Sequence, residues 1–132
     1  ANYLRIKLQD TLDLPYDRIC SHEVVFSAKS IKEKFGVNAL DIAKRLIDYN
    51  IHPPTMYFPL IVDEALLVEP TETESKETLD DFIDVMKQIV NEAETEPELL
   101  LNAPHNTPNK RLNEAQAARN PKLSWRDTQI SD

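Results

Sequence analysis

Apolar side chains return along this chain with two spacings. Leu4, Leu8 and Leu12 recur at i, i+4 and i+8, one face of a helix. The alternation Leu4, Ile6, Leu8 also permits a strand, but helix is favoured over residues 1–14, ending before Pro15. After a connection over 15–21 the period changes to two. Val24 and Phe26 point one way, and Glu23, Val25 and Ser27 the other, so HEVVFSAK reads as a strand. Ser30 to Phe35 predicts a short helical turn closed by Gly36. NALDIAKRLIDY, Asn38 to Tyr49, is the best-marked short helix. Asn38 suits the N-cap, Asp41 stands at N3 near the positive end of the dipole, and Ile42, Ala43, Leu46, Ile47 and Tyr49 form the apolar face. Asn50 stands where a left-handed C′ residue is expected, which would let Ile51 pack back on Leu46.

The stretch HPPTMYFPLIVDEALLVEPTETESK, His52 to Lys76, organises the rest. Pro53, Pro54 and Pro59 stiffen its start, and Ala65 to Val68 reads as a short buried strand. Thr71 with Glu74, or Thr73, offers an N-cap for the following helix. In that helix Leu79, Phe82, Ile83, Met86, Ile89, Val90 and Ala93 form one face, and Glu77, Asp80, Asp81 and Asp84 the other. Pro97 ends it, and Glu98 to Asn102 adds a turn. From Ala103 onward NAPHNTPNKR reads as a surface loop. A short helix over Leu112 to Arg119 and an extended piece from Pro121 to Trp125 follow. The fold class expected is α+β: a small antiparallel or mixed sheet with helices packed on one face, over residues 1–102, and an irregular tail over 103–132. The other sheet face needs a cover, which another domain can supply.

Composition narrows the function. Twenty-three acids against 15 bases give a net charge of −8, which argues against nucleic acid or an anionic membrane as partner. Mean hydropathy is −0.47, and no apolar run reaches the roughly 18 residues a membrane span needs. Cys20 is the single cysteine, so no internal disulfide forms and no Cys/His cluster suggests a metal site. A reducing, cytoplasmic compartment is expected. One glycine, Gly36, against nine prolines leaves no glycine-rich phosphate loop. The chain starts at Ala1 without methionine and without a signal peptide, and is expected to be a fragment or a processed product.

Candidate chemistry is sparse. Glu69, Glu72, Glu74 and Glu77 are the densest carboxylates; such groups can do acid/base work, but favouring a helix N-terminus explains them better. His22, His52 and His105 are far apart in sequence, and nothing marks Ser21 or Cys20 as an activated nucleophile. Lys29, Lys32, Lys34 and Lys76 lack the apolar setting that would depress a Schiff-base lysine. Arg18 could hold a carboxylate, with Asp17 or Glu23 its simplest partner. Three function classes stay open on these grounds: part of a larger enzyme, a free-standing acidic interaction module, and a small enzyme built on the glutamates.

The runs DIAKRLIDYNIHPPTMYFPL and VEPTETESKETLDDFID resemble the C-terminal part of glycine dehydrogenase (decarboxylating), the P-protein of the glycine cleavage system. The similarity is greatest to the second subunit of the two-subunit bacterial form. The opening ANYL, His22-Glu23, and the late APH, KRL and AAR-x-P pieces agree, so the resemblance covers nearly the whole chain. The family usually has glycine where Asn50 stands, and Val24 to Lys34 match it loosely. The resemblance implies the small C-terminal domain of an aspartate-aminotransferase-like enzyme of pyridoxal phosphate fold type I. It implies glycine as substrate, decarboxylation, and transfer of the aminomethyl group to the lipoyl arm of the H-protein, with a companion P-protein subunit 1. The family's cofactor lysine follows a histidine before a glycine-rich run. No lysine here follows a histidine, so the cofactor lysine, and the large domain carrying it, are expected upstream. No catalytic or cofactor-binding residue is expected in this chain. His22, His52, Thr71 and Glu72 are the candidates for facing the cleft between domains.

Overall fold

A computed structural model describes residues 1–70 and 72–125. The helices are α1 (Asn2–Leu8), α2 (Lys29–Phe35), α3 (Ala39–Asp48), α4 (Lys76–Thr95), α5 (Pro97–Leu101) and α6 (Glu114–Arg119). The strands are β1 (Val24–Ser27), β2 (Thr55–Met56) and β3 (Ala65–Val68). Among the described residues the sheet is antiparallel throughout, in the order β1-β3-β2. The α+β class holds, and the choice between antiparallel and mixed pairing resolves to antiparallel.

Register decides which strand residues are buried. Val24 lies opposite Val68 and Phe26 opposite Leu66; all four are buried and join the core with Leu4, Leu8, Ile42, Leu46, Met86 and Ile89. Val25 and Leu67, also paired, alternate to the other side and are only half-buried, as a period of two requires. The helices thus cover one face of the sheet and leave the other open.

Local signals explain most boundaries. Asn38 caps α3 by accepting from the Asp41 N–H at 3.0 Å, while the Asp41 carboxylate accepts from the Asn38 N–H at 2.9 Å. These reciprocal bonds satisfy two of the orphan donors of a helix start. At the other end Asn50 has φ 59°, and the Ile51 N–H donates to the Leu46 carbonyl and the Asn50 N–H to the Ile47 carbonyl. That is a Schellman closure on a left-handed residue. Gly36, at φ 76°, closes α2 in the same hand.

Several boundaries differ from the sequence reading, three of them with structural consequence. The first helix stops at Leu8, and Leu12 is buried from the turn that follows; an i+4 spacing persists because the turn sends Leu12 into the same core. The N-cap of α4 is Ser75, which accepts from the Thr78 N–H, rather than Thr73; Thr71 lies outside the described residues. The segment after Asn102 is a surface loop only in part. Ala103 and Pro104 are buried, and the chain up to Arg111 is strapped to the domain. Asp48 accepts from the backbone N–H of His105 at 2.6 Å and of Asn106 at 2.7 Å. Arg111 donates to the carbonyls of Ala103 and Leu100 and reaches Asp41 at 2.7 Å.

Candidate functional site: an uncovered sheet face and its edge

The open side of the sheet is built by alternation. Val25 and Leu67 form its centre, and Tyr16, Ile19, Phe58 and Pro59 border a concavity of about 320 Å³ above them. Ile19 is 84% exposed and Phe58 54%. Beyond Phe58, Leu60 and Ile61 are 87% and 83% exposed. Such a run of outward apolar side chains beside a bare sheet face is larger than scattered surface hydrophobes require. Arg18, a candidate for holding a carboxylate, instead lies over the Tyr16 ring, 5.9 Å from its centroid.

The loop between β2 and β3 that displays these side chains is held at both ends. Tyr57 and Glu64 take left-handed backbone, φ 58° and 50°, a conformation that costs a residue with a Cβ about 1–2 kcal/mol. Bonds around each end fix it. The Tyr57 N–H donates to the Ala65 carbonyl, and the Ala28 N–H to the Glu64 carbonyl. The Glu64 carboxylate accepts from the Ala39 N–H at the start of α3 and pairs with Lys32. Ser27 Oγ donates to the Asp63 carbonyl at 2.7 Å. The YFPLIV run is therefore a held display and not a slack connection. The sequence signal for it is an apolar run broken by Pro59, which cannot donate to a ladder.

Antiparallel register gathers the candidate residues at one end of the sheet. His22 precedes β1, Glu69 follows β3 and His52 precedes β2, and these three termini adjoin. His22 Nε2 stands 3.8 Å from carboxylate oxygens of both Glu23 and Glu69. His52 and Glu69 line one groove. Glu72 is exposed in the turn beyond Pro70, and Thr71 is outside the described residues. Glu69, named only among the dense carboxylates, stands beside His22 and lines the same groove as His52.

The lysines do not fit a pyridoxal phosphate site. Lys29, Lys32 and Lys76 sit beside Asp63, Glu64 and Asp80, whose carboxylates accept their protons' hydrogen bonds and raise each ammonium above its ordinary value. A Schiff-base lysine needs the opposite shift. The single glycine cannot line a phosphate cradle. Among the described residues no group of His, Cys, Asp or Glu suits a metal ion, and no helix is long and apolar enough to cross a membrane.

The opposite side of the domain is closed by a buried polar network. Arg45 reaches Glu92 through Nε at 2.8 Å and Nη2 at 3.2 Å, and Asp48 through Nη1 at 3.1 Å. Tyr49 Oη donates to Glu92 at 2.6 Å, and Gln88 adds a further bond. Burial pushes Asp48 and Glu92 up, but the hydrogen bonds they accept outweigh it. Those come from the Asn106 and His105 N–H groups and Arg45 in one case, and from Arg45, Tyr49 and Gln88 in the other. Both carboxyls end below their ordinary values. This network holds the strap and α4 to α3, and so fixes the scaffold behind the open face.

Known proteins are similar to this chain. The chain is 60% identical over 125 residues to a probable glycine dehydrogenase (decarboxylating) subunit 2 of Listeria innocua, covering 95% of this chain and 25% of that protein. Against the protein of the same description from Thermotoga maritima it is 52% identical over 126 residues, 96% of this chain and 27% of that one. For Kosmotoga olearia the figures are 51% over 125 residues, 95% and 26%. The chain thus spans about a quarter of the length of the curated relatives it matches. The sequence model of the family described as glycine dehydrogenase, C-terminal domain, matches residues 1–111, from the start of α1 to the arginine that fastens the strap, and to that family this chain belongs.

Proposed function

We propose that this chain is the C-terminal cap of the second subunit of a two-subunit glycine dehydrogenase (decarboxylating), and that its uncovered sheet face lies against a cofactor-bearing domain of that subunit. The observation that supports this most is the bare Val25–Leu67 face with its rigid rim of Phe58, Leu60 and Ile61, in a chain a quarter as long as its relatives. Packing there excludes water from the neighbouring cleft, which strengthens every charge interaction inside it. His22, His52, Glu69 and Glu72, at one edge of that face, are its polar contacts with the cleft, and Thr71, outside the described residues, is a further candidate.

On this reading the whole subunit acts in the glycine cleavage system. Glycine is its substrate, pyridoxal phosphate its cofactor, and the lipoylated H-protein and a companion subunit its partners, in the cytoplasm. The cofactor lysine lies outside this chain, and the architecture is that of fold type I. Residues 1–102 form the cap proper and 103–132 a tail, the first part of which is the strap. A free-standing acidic module is not favoured, because the match to subunits of this name runs over nearly the entire chain.

The test is to compare the full subunit, assembled with its companion and supplied with lipoylated H-protein, with the same assembly carrying Phe58→Glu and Leu67→Glu. Glycine-dependent release of carbon dioxide should fall at least about tenfold, which is the loss of roughly 1.4 kcal/mol of positioning. Unchanged turnover, or release of carbon dioxide at an enzymatic rate by residues 1–132 alone, would overturn the reading.

A further inference from the structure

The stretch beyond the strap, residues 112–125, is exposed at every position, with Leu112 at 70% and Leu123 at 88%. It contains α6, six residues of which none is buried. Isolated helices shorter than about 12–15 residues are marginal in water, and a short helix ordinarily owes its stability to the surface it packs on. The charge of this stretch is opposite to that of the molecule. Lys110, Arg111, Arg119 and Lys122 stand against one acid, Glu114, over residues 110–125, in a chain of net charge −8. Arg111 is engaged by Asp41 and Lys110 by the His105 carbonyl. Arg119 and Lys122 make no ion pair among the described residues.

The relatives keep this stretch. The family model stops at residue 111, but the match to the Listeria innocua protein takes in 125 of the 132 residues. At most seven residues fall outside that match, so at least 14 of the 21 after Arg111 lie inside it. The Thermotoga maritima match, 126 residues at 52% identity, runs as far. Surface segments that pack on nothing vary most among relatives. This one stays within the match, which fits a segment that meets a surface the cap itself does not supply.

The point of departure indicates where that surface lies. Arg111, at the root of the tail, holds Asp41 at 2.7 Å. Two residues earlier on α3 the Ala39 N–H donates to Glu64 at 2.9 Å, and Glu64 ends the loop that displays Leu60 and Ile61. The tail therefore leaves beside the apolar rim.

We propose that residues 112–125 are a clamp that crosses from this rim onto the neighbouring domain of the same subunit. Leu112 and Leu123 enter apolar seats there, and Arg119 and Lys122 meet carboxylates. A domain on the same polypeptide, held against the rim, faces the tail at an effective concentration of roughly millimolar, which favours it over a free partner. The clamp rests on the reading that this domain covers the sheet face.

The full subunit, prepared without its companion, is treated with a carbodiimide, which joins a lysine amine to a carboxylate in contact with it. Peptide mapping should find Lys122 linked to an aspartate or glutamate of the same subunit outside residues 1–132. Raising salt from about 0.05 to 0.5 M should lower that yield several-fold. The Ala117 and Asn120 amides, bonded within α6, should exchange at least about tenfold more slowly than in an unstructured chain. A Lys122 link to a carboxylate within residues 1–111, a link formed only to added companion, the absence of any link, or exchange at unstructured rates overturns the clamp. Exchange at Leu60 and Ile61, followed in the same experiment, reports the rim by itself. A slow rim with a fast tail overturns the clamp alone, and fast exchange at both overturns the clamp together with the covered face.

Discussion

The two sides of the sheet show opposite treatments of polar and apolar groups. Behind it, Arg45, Asp48, Glu92, Tyr49 and Asp41 are largely withdrawn from water, yet each is bonded to a partner, Asp41 to the more exposed Arg111. In front, Phe58, Leu60, Ile61 and Ile19 are apolar and left in water. A buried charge is tolerated only when paired, and an exposed hydrophobe is tolerated when its burial is deferred to a partner. The first side therefore sets whether the domain stands, and the second sets what it stands against.

Substitutions should separate these roles. The largest effect is expected from Glu92→Ala, which strands the Arg45 guanidinium and the Tyr49 hydroxyl. Urea unfolding of the chain should show a loss of about 3–5 kcal/mol, and Arg45→Met combined with Glu92→Leu should recover most of it. Next comes Asp48→Ala, which removes the acceptor shared by the His105 and Asn106 N–H groups, at about 2–3 kcal/mol. Trypsin should then cut after Lys110 and Arg111 in the freed strap well before the domain unfolds. A loss in the same transition without faster cleavage would mean that Arg111 alone holds the strap.

Acid should act on the same side. Asp48 and Glu92 titrate below their ordinary values of 3.8 and 4.5. The unfolded chain takes up protons first as pH falls, so their stabilisation is complete above about pH 5 and is lost as pH drops through those values toward the folded ones. The unfolding midpoint measured against pH should be level above that point and decline below it. In Asp48→Asn the decline should be shallower. Asp63 and Asp80 are also lowered, by bonds from Lys29 and from Lys76, but as solvated surface pairs they contribute little to this slope.

The smallest effect on stability belongs to the open side. Leu60→Ser with Ile61→Ser should change unfolding free energy by less than about 0.5 kcal/mol while reducing self-association seen by sedimentation velocity. A large destabilisation there would erase the contrast between the two sides.

Much of this organisation is legible where it is local. The Asn38 cap, the Asn50 closure and the Pro97 break depend on residues a few positions apart, so their chemistry can be read along the chain. The network behind the sheet is not local. Asp48 and Glu92 stand on helices whose charged residues ordinarily face water, and nothing near them announces partners at His105 or Arg45. The strap was hidden for the same reason: NAPHNTPNKR has loop composition, and only α3 reveals why it lies flat. Of the site, the alternation around Phe26 showed that one face needs a cover. The meeting of His22, Glu69 and His52 required the register of three separated strands.

That register has a temporal side. The middle strand of the sheet is the last to be synthesised, so β1 has only its single bridge from Ser27 to Asp13, and no ladder partner, until residues 65–68 have been added. As the polypeptide leaves the ribosome, Phe26 has no sheet to join while α2 and α3 are being made. The hairpin of β2 and β3 must then close on a strand already long emerged, a non-local step of the kind that slows folding. A pause in translation shortly before Ala65 would prolong the interval in which Val24 and Phe26 stand without the strand that pairs with theirs.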